Sequence, residues 1–204
     1  NEAEFEELSQ YVKSEILAML RDSTYTEIAK FDSDLSIINM ENGLYNWQTG
    51  KFLPHTPDYY SVIQIPVRFD PDARCPNIDK MINIVADEKD RMKCYEMFAY
   101  CLYRSYPIQK MFVLFGPGGT GKSYFLDVVQ RMLGDVNCSN VSMQDLAKDR
   151  FASSDLYKKL ANICGDLDNT AMYQVATLKQ LTSNKDRIRA QRKGEKAFNF
   201  VNFA

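Results

Sequence analysis

KMFVLFGPGGTGKSYFLDVVQRML, residues 110–133, is the stretch whose reading decides the fold. Its centre, Gly116 to Ser123, matches the phosphate-loop pattern G-x-x-x-x-G-K-[ST] at every fixed position. The flanks suit the motif. Lys110 to Phe115 reads as a buried strand, and Ser123 to Leu133 reads as an amphipathic helix. Glycines at 116, 118, 119 and 121 allow backbone conformations closed to other residues and a close approach to an anion. Successive N–H groups then face one concavity, and the helix that follows adds the positive end of its dipole. In this pattern Gly116, Pro117, Gly118, Gly119, Thr120, Gly121, Lys122 and Ser123 form the cradle. Lys122 is expected to reach the outer phosphates of a nucleotide such as ATP, and Ser123 to place a hydroxyl on Mg²⁺.

A nucleotide triphosphatase needs a second strand ending in an acid. Leu160-Ala161-Asn162-Ile163-Cys164-Gly165-Asp166-Leu167-Asp168 is the best candidate, about forty residues on. Asp166 is expected to orient the Mg²⁺ shell and Asp168 to polarise the attacking water, with Asp166 competing for that second role. Asn162 interrupts the apolar strand and calls for a polar neighbour. Leu133-Gly134-Asp135 reads instead as a helix end, and Met143-Gln144-Asp145 as a helix start.

Upstream, apolar residues at Phe5, Leu8, Val12, Ile16 and Met19 predict one helix over 3–21 with a core-facing stripe. Residues 35–53 read as three short strands with turns at 41–43 and 48–50, followed by an extended piece from Ser61 to Val67. The proline-bearing run from Arg68 to Pro76 reads as a linker. Helices are expected at 78–86 and 90–103, the second presenting Met92, Tyr95, Phe98 or Ala99, and Leu102. This gives a small α+β region over 1–76 and an α/β core over 77–204, with a mostly parallel sheet covered by helices.

Residues 184–196 hold six cations in thirteen positions. Lys193-Gly194-Glu195 reads as a hairpin tip between Ile188–Arg192 and Ala197–Val201. A solvated face is one reading of such a run. Contact with a nucleic-acid backbone is the other, salt-sensitive and blind to sequence. No aromatic stacking platform is interleaved, so base readout is not implied.

The bulk numbers fit a globular chain: 204 residues, 45% hydrophobic, 25% charged, net charge −2. That balance confines any nucleic-acid contact to a local patch. No apolar run approaches the ~20 residues that span a bilayer. Five scattered cysteines without a C-x-x-C pair, beside a single histidine, read as free thiols in a reducing cytoplasm rather than a zinc site. The first residue is Asn, which suggests a piece of a longer polypeptide.

With these segments in place, the chain resembles the superfamily 3 helicases, and more narrowly the primase-helicases of phages, plasmids, proviruses and poxviruses. The resemblance extends upstream through Ile38 to Tyr45, Leu53-Pro54-His55 and Pro57 to Val67, and downstream through Leu181 to Lys193. It implies a P-loop, AAA+-like ATPase core. It also implies an ATP- and Mg²⁺-dependent helicase that moves on single-stranded DNA as a ring, usually a hexamer, beside a fused or associated primase. Lys185, Arg187, Arg189, Arg192 and Lys193 fall in the family's channel-hairpin segment. Two departures stand out. The family's threonine-glycine-glycine-aspartate reads Thr182-Ser183-Asn184-Lys185-Asp186, and the strand with the sensor residue and the later arginine finger are missing, so that the core is cut short at its C-terminus. The competing readings are a P-loop small-molecule or nucleoside kinase and a nucleotide-binding assembly module without turnover.

Overall fold

A computed structural model describes residues 9–165 and 175–204. Helix α1 spans Gln10–Ser23, capped by Ser9, whose Oγ accepts from the Val12 amide at 3.3 Å. A three-stranded antiparallel meander follows: β1 Ile37–Met40, β2 Gly43–Asn46 and β3 Lys51–Leu53. Helices α2 Pro76–Val85 and α3 Glu88–Cys101 come next, then α4 Lys122–Leu133. The remainder comprises β4 Cys138–Ser139, α5 Met143–Lys148, β5 Ala161–Asn162, α6 Val175–Leu181, β6 Arg187–Ala190 and β7 Phe198–Val201. Among the described residues no helix is long and apolar enough to cross a membrane.

The strand readings of the N-terminal region hold closely. Ile37 faces Asn46 across β1–β2, and Leu44 faces Leu53 across β2–β3. The extended piece after the meander runs parallel to β1, with the Ile65 amide donating to Asn39 O at 3.0 Å. Ile63 and Ile65 thereby enter the main core with Met81 and Ile82 of α2, Met97 of α3 and Phe125, Val129 and Leu133 of α4. This core draws on residues from both sides of the Arg68–Pro76 run. A second core lies under β6–β7, built from Leu156, Ile188, Ala190 and Phe200, with the Tyr157 ring edge-on to Phe198 and Phe200.

Three expectations change. The helix expected over 3–21 is described from Gln10, with Phe5 and Leu8 outside the described residues, and its stripe is not core-facing: Val12 and Met19 are 39% and 70% exposed. Periodicity sets a face but does not supply the partner that covers it. In α3 the buried side is Cys94, Met97, Phe98 and Cys101, whereas Met92 and Tyr95 are exposed. The Tyr95 hydroxyl instead donates to the Asp79 carboxylate at 2.6 Å, pinning α3 to α2 from the wet side. The third change concerns residues 110–115. They form no ladder, and Phe115 is fully exposed. The described parallel ladder is Cys138↔Ala161 and Ser139↔Asn162, with one isolated parallel bridge at Met40↔Ile65, and no described strand lies alongside 110–115. The fold is thus mixed α/β with small sheets, one of them a parallel pair.

Burial explains the inert thiols. It pushes Cys101 up to about 12 and Cys138 up to about 11, so neither offers thiolate at neutral pH. Arg104, just past α3, is a feature that composition does not announce. Only 7% exposed, it donates from Nη1 to Ile37 O at 2.7 Å and from Nη2 to Asp34 O at 2.5 Å. A guanidinium thus fixes the start of the meander to the end of α3 through backbone carbonyls. Arg104→Ala leaves the buried Ile37 carbonyl without this donor, while Asp34 O keeps the Ile37 amide at 3.3 Å, and is expected to cost about 2 kcal/mol, read as a lower urea midpoint; an unchanged midpoint would show that the clamp adds no stability.

Candidate nucleotide loop and basic hairpin

The loop at 116–123 is built by chirality and anchored by packing. Gly119 sits at φ 76° and Gly121 at φ 86°, both left-handed. Gly121 is the N-cap of α4, so the turn over 118–121 passes there into the helix. A Cβ at Gly121 would meet Val85 Cγ1 at 3.0 Å, so the end of α2 backs the loop closely. A Cβ at Gly118 or Gly119 would meet nothing within 4 Å, so the opposite side of the loop is open. Phe125, Val129 and Leu133, one per turn, hold α4 on the main core.

The Lys122 side chain folds back over this loop. Its ammonium donates to Gly116 O at 2.8 Å and Pro117 O at 2.6 Å, and lies 3.4 Å from Thr120 Oγ1. A cation thus lies in the concavity, held by the loop's own carbonyls. The first amides of α4, from Lys122 to Tyr124, have no helical acceptor four residues back. Ser123 is exposed in that first turn. A cation over open amides at a helix N-terminus fits an anionic, phosphate-bearing group. ATP and Mg²⁺ are the group the sequence pattern implies.

The strand expected to run from Leu160 into the acids is two residues long, Ala161–Asn162. Asp166 and Asp168 lie outside the described residues. What leads up to them is fixed in detail. Asn162, the polar interruption, is paired on both sides of its amide. Its Oδ1 accepts from the Val141 amide at 2.8 Å and from Ser139 Oγ at 3.0 Å, while its Nδ2 donates to Val141 O at 2.9 Å. The side chain therefore continues the β4–β5 ladder where backbone pairing ends.

The hairpin at the basic segment forms where the sequence placed it. Arg187 pairs with Val201, and Ala190 with Phe198. Alternation turns Ile188 and Ala190 inward and Arg187 and Arg189 outward. Gly194, at φ 83°, makes the tip, where the Glu195 amide donates to Arg192 O at 3.0 Å. Lys185, Arg187, Arg189, Arg192 and Lys193 are all exposed. Arg192 has only a loose ion pair with Glu195 at 3.9 Å, both side chains more than half exposed, so its charge faces solvent. Ser183 shapes the approach by accepting from the Lys185 and Asp186 amides at 3.3 and 3.1 Å.

Two residues outside the motifs join these parts. Gln109, ahead of the loop's lead-in, donates to Asn184 Oδ1 at 2.9 Å, linking the lead-in to the approach of the hairpin. Arg150, after α5, faces the base of β6 across a cleft. The run Lys148-Asp149-Arg150 carried no motif, and its position against β6 is a product of the fold alone.

Comparison with known proteins agrees with this layout. Residues 2–86 match the profile described as D5 N terminal like, and residues 114–204 match a family of unknown function (DUF5906). Neither match reaches half of the chain. No curated protein matches in sequence. The apo structure of the NrS-1 C-terminal region is similar in fold, with a TM-score of 0.57 at 17% identity over 96% of this chain. The chain spans about half of that structure, 47% of its length. At that identity the likeness is one of fold.

Asn162→Ala removes the partner of a part-buried Val141 amide and carbonyl. It is expected to destabilise the chain by about 2 kcal/mol, seen as a lower thermal midpoint together with faster amide exchange at Val141. Wild-type exchange at Val141 would mean that the side-chain ladder is not formed.

Proposed function

We propose that the chain is part of the ATP-dependent DNA helicase core of a replicative primase-helicase, with residues 1–76 the pre-helicase region and 77–204 the beginning of the motor. The observation that carries this is the left-handed loop at Gly119 and Gly121 with the Lys122 ammonium lying over it. The D5 N terminal like match upstream and the fold shared with the NrS-1 C-terminal region support it.

MgATP, when bound, supplies the phosphoryl group whose hydrolysis drives the motor. The chain's own residues have the following parts. Lys122 exchanges the Gly116 and Pro117 carbonyls for the outer phosphates. The amides of the first turn of α4 donate to the same oxygens, and the Ser123 hydroxyl turns to the metal. Asp166 would hold the metal, and either Asp168 or Asp166 would polarise the attacking water. An arginine finger from a neighbouring subunit completes the site, worth about a thousandfold or more in rate in related NTPases. Arg187, Arg189 and the tip cations Arg192 and Lys193, with Lys185, contact the phosphates of single-stranded DNA in the channel of a homo-oligomeric ring, a hexamer in this reading. The protein works in the cytoplasm, with a fused or associated primase.

Lys122→Ala removes a charge-assisted contact of about 2 kcal/mol or more, so MgATP affinity should fall at least about thirtyfold by calorimetric titration; undiminished affinity would remove the loop from the site. Arg189→Glu with Arg192→Glu should weaken oligo(dT) binding and flatten its salt slope by about 1.4, two single-strand phosphate contacts. An unchanged slope would leave the hairpin a solvated face.

A further inference from the structure

A cleft of about 420 Å³ opens beside the basic hairpin, along Ile188 to Gln191. One wall comes from α5 and the turn after it, with Arg150 and Ser153. The second comes from α6, with Thr177 and Gln180, and the third is β6 with Arg189. Its floor is apolar: Leu146, Leu181 and Ile188 belong to the second core. Hydrogen bonds tie the walls together. Ser153 Oγ donates to Arg189 O at 3.2 Å, and Gln180 Nε2 donates to Arg187 O at 3.2 Å.

The rim is unevenly charged. Arg150 and Arg189 are exposed and line the cleft, and neither forms an ion pair with a described carboxylate. The rim acid, Asp149, accepts from the Phe151 amide at 2.8 Å, leaving one carboxylate against two guanidiniums on the rim. A dry floor under two guanidiniums matches a nucleotide, with its base on Leu146, Leu181 and Ile188 and its phosphate between the arginines. The volume is within the roughly 300–1,000 Å³ of small-molecule sites. Because Arg189 belongs to the same outward row as Arg187, the occupant is continuous with whatever the hairpin holds.

We propose that this cleft takes one nucleotide unit of the same single strand that the hairpin contacts, with Arg150 as a phosphate-binding residue outside the hairpin. This rests on the DNA-binding reading of the hairpin. The test is fluorescence anisotropy of labelled oligo(dT) with the 204-residue chain across a salt series, for wild type, Arg150→Glu, Arg150→Ala and the tip variant Lys193→Glu, with dTMP as competitor. Arg150 is exposed and its guanidinium lies 4.5 Å from the Phe151 ring centroid, so the variants are compared at a temperature below every thermal midpoint. Arg150→Glu should weaken binding about tenfold and lower the salt slope by about 0.7, with Arg150→Ala intermediate. If Lys193→Glu weakens binding while both Arg150 variants bind as wild type, the cleft inference alone falls. If neither changes binding, or wild type does not bind at all, the hairpin reading falls with it. Displacement of the oligonucleotide by dTMP at equal nucleotide concentration would make the cleft a free-nucleotide site and overturn the strand assignment.

Discussion

The left-handed turn at Gly121 is the constraint on which the account depends. It closes the 118–121 turn and opens the helix, so that Lys122 and Ser123 stand at the first turn of α4. The turn would carry no meaning without an anchor. Phe125, Val129 and Leu133 supply it by burying one face of α4 against α2, α3 and the Ile63–Ile65 segment. Val85 closes the rear of the loop at a distance that tolerates no side chain at position 121 without a shift. Core packing therefore holds the loop's rear while its front stays open, and the change an anion requires there is confined to the Lys122 side chain, which has to leave the Gly116 and Pro117 carbonyls.

The basic hairpin is built on a separate core but is not independent of the loop. Gln109 and Asn184 are hydrogen-bonded although 75 positions apart in the chain. The lead-in that feeds the 116–123 loop thus shares a contact with the segment that feeds the hairpin. In a motor of the proposed kind, movement at the nucleotide has to reach the strand-binding element, and this contact lies between the two. Ser153 and Gln180 play a similar part on the other side of β6, fixing its backbone to α5 and α6.

Much of this was legible in the sequence, for identifiable reasons. The loop and its helix were readable because glycine, lysine and a four-residue apolar spacing each have one economical explanation there. The meander and hairpin were readable because turn residues sit between alternating strands. Other parts depended on partners the linear pattern does not name. Residues 110–115 look like a buried strand, yet a strand exists only where a neighbour offers a ladder, and none of the described residues does. The stripe on α1 has the period of a core helix, but its apolar side chains are exposed. In α3, aromatic and methionine side chains lie on several sides, so composition did not single out the face around Met97. Asn162 and Arg104 show the opposite case: each breaks the local apolar pattern, and each is explained by carbonyls far away in the chain that accept from it.

The most direct test of the central claim is calorimetric titration of the chain with adenosine, ADP and ATP, with and without Mg²⁺. If the loop grips an anionic tail, affinity should rise steeply from adenosine to ADP to ATP, and Mg²⁺ should strengthen the triphosphate most. Equal affinity for adenosine and ATP, or no heat with any of the three, would contradict the account.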